Sequence, residues 1–162
     1  EASGLMPHAW KAGTQTALLK SKIEAMREGG TYVMVAPPNP YRCPPGPYER
    51  VSMVAHHLKS TNPSAKIVIL DPKEAFSKQA LFMEGWEKHY PGMIEWLPKS
   101  IIGDIKTVDA RAGTIETDFD TFKADVANVI SAQMGLWSDK GFSSSMMPPS
   151  VARPSESKLY KM

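Results

Sequence analysis

Cys43 carries the most chemical promise in this chain, because it is the only cysteine and stands inside an unusual frame. Residues 40–49 read Pro-Tyr-Arg-Cys-Pro-Pro-Gly-Pro-Tyr-Glu. Prolines at 44, 45 and 47 restrict the backbone and hold the sulfur just ahead of a helix expected from about residue 48. The positive end of that helix, with Arg42 and Arg50 near in sequence, would favour the thiolate, which is the nucleophilic form. Glu49 falls in the first helical turn, where a carboxylate serves as charge partner or as proton acceptor. The plainer reading stays open at this point. A lone cysteine is often a small buried hydrophobe, and Glu49 alone is an ordinary first-turn acid.

A strand, a loop and a helix must position that thiol. Residues 31–36 (Thr-Tyr-Val-Met-Val-Ala) form an apolar, partly β-branched run of one buried strand's length, and Pro37-Pro38-Asn39-Pro40 breaks it. The helix after the loop covers about 48–59, with Val51, Val54, Ala55 and Leu58 on one face. A helix over 8–28 precedes the strand and is stopped by Gly29-Gly30. Residues 66–70 (Lys-Ile-Val-Ile-Leu) are a second buried strand, ended by Asp71-Pro72, and a third helix covers 74–90. Four extended runs follow at 93–97, 101–108, 114–119 and 122–130, with Asp109, Asp118, Asp120 and Asp125 at turns or strand ends. The order implies an α/β fold: a Rossmann-like parallel βαβ core with helices on both faces, plus an antiparallel β-meander from 93 onward. Residues 1–137 make a single NAD-binding-like domain, and 138–162, with Ser143-Ser144-Ser145 and Pro148-Pro149, read as a poorly ordered tail.

Composition narrows the function classes. Nineteen Lys and Arg against seventeen Asp and Glu leave a net charge of only +2, with no basic patch interleaved with aromatics, so nucleic acid is not an expected partner. No apolar run reaches the length of a membrane helix, and residues 1–10 lack the apolar core of a signal peptide. His8, His56, His57 and His89 do not form a metal-ligand set, since neighbours on a helix point about 100° apart. Trp86, Trp96 and Trp137 suit either an interface with a further domain or ordinary core packing.

The strand–loop–helix at 31–59 occupies the place where dinucleotide-binding folds keep a glycine-rich turn, and Asp71 ends the next strand where such folds keep a ribose-binding acid. The loop is wrong for that ligand. A diphosphate is held by free backbone N–H groups at close approach, whereas prolines lack the N–H and add bulk. NAD is therefore not expected.

The stretch 36–58, with Tyr-Arg-Cys-Pro-Pro-Gly-Pro-Tyr-Glu-Arg at its centre, resembles the flavoprotein subunit of flavocytochrome c sulfide dehydrogenase. The likeness extends through Ala65 to Asp71, Phe76-Ser77-Lys78-Gln79, Gly85-Trp86-Glu87, Met93-Ile94-Glu95-Trp96 and residues 122–130, and backwards over residues 5–19. That family groups with the glutathione-reductase-like disulfide oxidoreductases and the sulfide:quinone oxidoreductases. The resemblance implies the middle domain, the counterpart of an NAD-binding domain. It further implies sulfide oxidation at a cysteine pair beside FAD, electron transfer to a c-type cytochrome subunit, and a periplasmic setting.

Under that resemblance Cys43 matches one redox cysteine and Glu49 an acid–base residue, which makes these two the candidate catalytic residues. No cofactor-binding residue and no metal ligand can be assigned. The Gly-rich flavin motif and the second redox cysteine do not occur in these 162 residues, so the flavin-binding and C-terminal parts are expected as further domains or chains. The alternative is a catalytically degenerate interaction or assembly module that keeps the fold.

Overall fold

A computed structural model describes residues 2–132. Trp137 and the expected tail at 138–162 lie outside the described residues. Helices α1 (Ala2–Leu5) and α2 (Thr14–Glu24) precede strand β1 (Thr31–Val35). Then come α3 (Gly46–Thr61), β2 (Lys66–Leu70), α4 (Gln79–His89) and β3 (Ile94–Leu97). The short α5 (Lys99–Ile102) leads to β4 (Ile105–Asp109), β5 (Thr114–Thr117), β6 (Thr121–Lys123) and β7 (Val126–Val129).

The central sheet is parallel, with strand order β3-β2-β1-β7. Tyr32 is paired with Ile67 of β2 on one side and with Val126 of β7 on the other. Strand β1 is thus interior, and Tyr32, Val33 and Met34 are all completely buried. Each such side chain contributes roughly 1.5–3 kcal/mol relative to an exposed position. The strand period of two divides them between two cores. Tyr32, Met34 and Ala36 join Ile67 and Ile69 under α2, α3 and α4. Val33 and Val35 join Leu70 on the opposite face with Ile102 of α5 and Ile115 of β5.

The parallel core and the antiparallel strands are both present, but their boundary lies elsewhere than at residue 93. Strands β3 and β7 are parallel members of the central sheet, and only β4-β5-β6 form the antiparallel unit. The physical reason is connection length. Helix α4 separates β2 from β3, which is the crossover a parallel pair needs, while β4, β5 and β6 are joined by short turns. Asp109 builds the first of those turns by accepting from the N–H groups of Arg111 and Ala112, both at 2.9 Å. Helices α2 and α4 are shorter than the periodicity suggests. Gly13, at φ 118, blocks an earlier start of α2, and Lys78, in a left-handed conformation at φ 62, precedes α4.

Candidate functional site

The C-terminal ends of the parallel strands carry the loop of residues 36–45. Cys43 adopts φ 59, a left-handed conformation that costs a side-chain-bearing residue roughly 1–2 kcal/mol. The Gly46 N–H donates to the Cys43 carbonyl at 2.9 Å and closes the turn into α3. The thiol is free and exposed. A Cβ at Gly46 would stand 3.2 Å from Cys43 Sγ and 3.1 Å from Trp10 Cη2. Glycine therefore leaves room for both the sulfur and the indole beside the first turn of α3. Trp10 also faces Tyr41, with ring centroids 6.5 Å apart, and carries the Arg50 guanidinium 5.6 Å above its ring.

Beneath the loop lies a buried carboxylate. Asp71 is completely buried, and its Oδ2 accepts from Tyr48 Oη at 2.6 Å and from Trp96 Nε1 at 3.0 Å. Its Oδ1 lies 2.6 Å from Lys73 Nζ, whose side chain is itself 8% exposed. The same ammonium donates to the Pro37 carbonyl at 2.7 Å and sits 5.0 Å from the Tyr41 ring. Tyr41 Oη donates in turn to the Pro44 carbonyl at 2.7 Å. Burial, and then the Asp71 carboxylate, push the Tyr48 phenol far above its ordinary value. Burial also pushes Tyr41 up, against the pull of its hydrogen bond with Tyr48.

A second polar cluster holds the segment that carries Trp10. Asn128 is completely buried; its Nδ2 donates to the carbonyls of Pro7 at 2.6 Å and His8 at 2.9 Å. Arg50 donates to the carbonyls of His8 and Ala9 and to Asn128 Oδ1, which also receives Tyr32 Oη at 3.1 Å. Arg50 is thus engaged with the amino-terminal segment and lies over the Trp10 ring. Its guanidinium is half-buried, and that burial lowers its proton affinity.

Against this geometry, residues 16–131 match the family of the central region of the flavoprotein chain of sulfide dehydrogenase, the flavocytochrome c enzyme. The chain belongs to this family.

In this central domain Cys43 and Glu49 are brought to the same helix end but not into contact. Glu49 is exposed in the first turn of α3, and among the described residues no hydrogen bond joins it to the thiol. Glu49 instead lines a groove of about 550 Å³ between α2 and α3, with Gly46, Arg50, Leu19, Val54 and the exposed Met53. Cys43 stands at the Gly46 end of that groove. Backbone donors at the start of α3 are already used: Gly46 N–H binds Cys43, Tyr48 and Glu49 N–H bind Pro45, and Pro47 has none. His56 is exposed and His57 lines the groove, and among the described residues no group of three or more His, Cys, Asp or Glu converges. Trp86 lies in the helical core, donating to Ser52 Oγ at 2.8 Å, and Trp96 serves Asp71. The residues that sequence reasoning passed over are Lys73, Tyr41 and Trp10 as the frame of the thiol. Only the unusual Tyr-Arg-Cys-Pro-Pro spacing hinted at the second of them.

Proposed function

We propose that this chain supplies one of two redox cysteines, Cys43, to a sulfide-oxidising flavoprotein whose electrons leave through a c-type cytochrome in the periplasm. The observation that carries this reading is the exposed sulfur held in a costly left-handed conformation at the start of α3. A surface cysteine with no task would relax out of that conformation. With a second cysteine from another part of the flavoprotein, hydrosulfide attacks the Cys43 disulfide. The S–S bond breaks, a new S–S bond forms to the substrate sulfur, and the departing thiolate keeps the electron pair. Glu49 takes up or returns the proton when substrate brings it within hydrogen-bond reach.

FAD does not fit as a ligand held by this loop, and neither does NAD. The first-turn amides of α3 are spent or missing, so no donors remain for a diphosphate. Asp71 is sealed under Tyr48, Trp96 and Lys73 and does not reach a ribose. The dinucleotide belongs to other parts of the flavoprotein, where it supplies the two-electron acceptor.

The test is sulfide-dependent cytochrome reduction by the assembled flavoprotein. Cys43→Ser should lower turnover by about a thousandfold or more, as loss of a nucleophile does elsewhere. Glu49→Gln should lower it by roughly a hundredfold, the lower range for general acid–base groups. Full activity of Cys43→Ser would move the reading to an assembly module, which the single cysteine of this chain favours.

A further inference from the structure

We propose that Asp71, Lys73 and Tyr41 are positioning residues that hold the Cys43 sulfur over the first turn of α3. The proposal rests on reading Cys43 as a reacting thiol. Both arms of the loop converge on one carboxylate. The leading arm is tied at the Pro37 carbonyl by Lys73, which pairs with Asp71 Oδ1. The trailing arm is tied by Tyr48, in the first turn of α3, which donates to Asp71 Oδ2. Tyr41 spans the space between them: its ring covers the Lys73 ammonium and its hydroxyl holds the Pro44 carbonyl, next to Cys43.

The cost of this arrangement argues for a geometric task. A buried ion pair adds little to stability compared with apolar residues of the same shape, because desolvation offsets the attraction. What the pair does supply is direction. Its remaining contacts fix Pro37, the Tyr41 ring and Tyr48 at once, and the stretch from Pro37 to Tyr48 contains Cys43 and the prolines at 38, 40, 44, 45 and 47. The left-handed φ at Cys43 and the close approach of its sulfur to Gly46 follow from holding both arms. Hydrophobic packing of the helix alone would leave the leading arm untied.

The experiment uses the 162-residue chain and reads two quantities. One is the rate of Cys43 alkylation by iodoacetamide as a function of pH. The other is the proton Overhauser contact between the Gly46 α-protons and the Cys43 β-protons, which approach each other across the turn. In Lys73→Met the contact should vanish and alkylation at neutral pH should slow about threefold, the size of a helix-terminus interaction. The deficit should disappear at strongly alkaline pH, where exposed thiols are ionised in every variant. Tyr41→Phe, which keeps the ring over Lys73 and removes the hydroxyl that bonds Pro44 and Tyr48, should give the same pattern in smaller measure and serves if Lys73→Met fails to fold. A wild-type contact and rate in a folded variant would overturn the proposal. So would a slowing that persists in alkali, since that reports shielding instead of position. Neither result depends on turnover, so failure here is distinct from retained activity in Cys43→Ser, which would overturn the redox reading itself.

Discussion

At the C-terminal edge of the parallel sheet Asp71 and Asn128 are both completely buried, whereas at the N-terminal edge Asp125 pairs with an Arg27 side chain that is 67% exposed. Both edges must tie loops to strand ends. At the N-terminal edge Asp125 receives Arg27 and the Thr31 N–H at 2.8 Å, and Asn62 bridges Gly29 and the Arg27 carbonyl. Asn62 is itself buried, but the Arg27–Asp125 pair meets water and tolerates imperfect geometry. At the C-terminal edge Asp71 Oδ2 accepts two hydrogen bonds and Asn128 makes several, while Asp71 Oδ1 has no hydrogen bond and is met by the Lys73 ammonium alone. The lesson is that the fold places its least forgiving polar contacts under the Cys43 loop and the Trp10 segment, and its forgiving ones where nothing need be aimed.

Single substitutions at the two edges should differ widely, and this is the largest effect expected. Lys73→Met leaves the Asp71 carboxylate buried without its cation and should cost about 3–5 kcal/mol in urea unfolding. Arg27→Met should cost at most about 1 kcal/mol, as exposed pairs do. Similar costs at both edges would erase the comparison. Next in size, Asn128→Leu strands the Pro7 carbonyl and the Tyr32 hydroxyl, leaves the His8 carbonyl to Arg50 alone, and should cost about 2–3 kcal/mol. Its partner at the other edge, Asn62→Ala, should cost about 1 kcal/mol, because Gly29 and Arg27 can turn to water.

The sequence made the forgiving features easier to read than the unforgiving ones. Strands β1 and β2 stand out as apolar runs bounded by prolines, and the first turn of α3 is announced by Pro47 and Glu49. The placing of β3 and β7 was not legible from period alone. A four-residue run such as Ile-Glu-Trp-Leu has no strand direction written in it, and only the helix before it implies a parallel neighbour. Asp71 was legible as a strand-end acid, but its task was not. That task depends on Lys73 folding back under the loop, and a buried lysine has no local signature. The hydrogen bonds of Arg50 were not legible for the same reason: its partners His8 and Asn128 are distant in sequence. Cys43 was legible because prolines write their constraint locally.

The two edges should also fail at opposite ends of the pH scale. Tyr48, at the C-terminal edge, and Tyr32, whose hydroxyl reaches Asn128 there, are pushed above the ordinary tyrosine value of 10.0, chiefly by burial. Asp71 adds to the shift of Tyr48, and Arg50 offsets part of that of Tyr32. A raised phenol in the folded state means that the folded chain retains protons the unfolded chain has released. The stability this provides is complete below pH 10 and is lost as pH rises above it. Thermal unfolding of the parent chain should therefore weaken more steeply between pH 9 and about pH 11 than that of Tyr48→Phe. Parallel curves would mean that the buried phenol is not what fails in alkali.

The smallest effect belongs to the acid limb of the N-terminal edge. The Arg27 hydrogen bond holds the Asp125 carboxyl below its ordinary value of 3.8; burial, next in size, opposes it, and the Thr31 N–H and the charges of Arg27 and Lys123 add to the lowering. A depressed carboxyl contributes stability that is present above the unfolded value and is lost as pH falls through the folded one. Asp109 and Asp118 are lowered too, by backbone N–H groups and by Lys106 respectively, so the parent acid limb is a composite. The informative quantity is the difference between the parent chain and Asp125→Asn. That difference should shrink as pH falls below about 4, and added salt should reduce it at every pH, because the pair faces solvent. A salt-insensitive difference would mean that Asp125 acts as Asp71 does, as a sealed anchor, and the contrast between the two edges would fall.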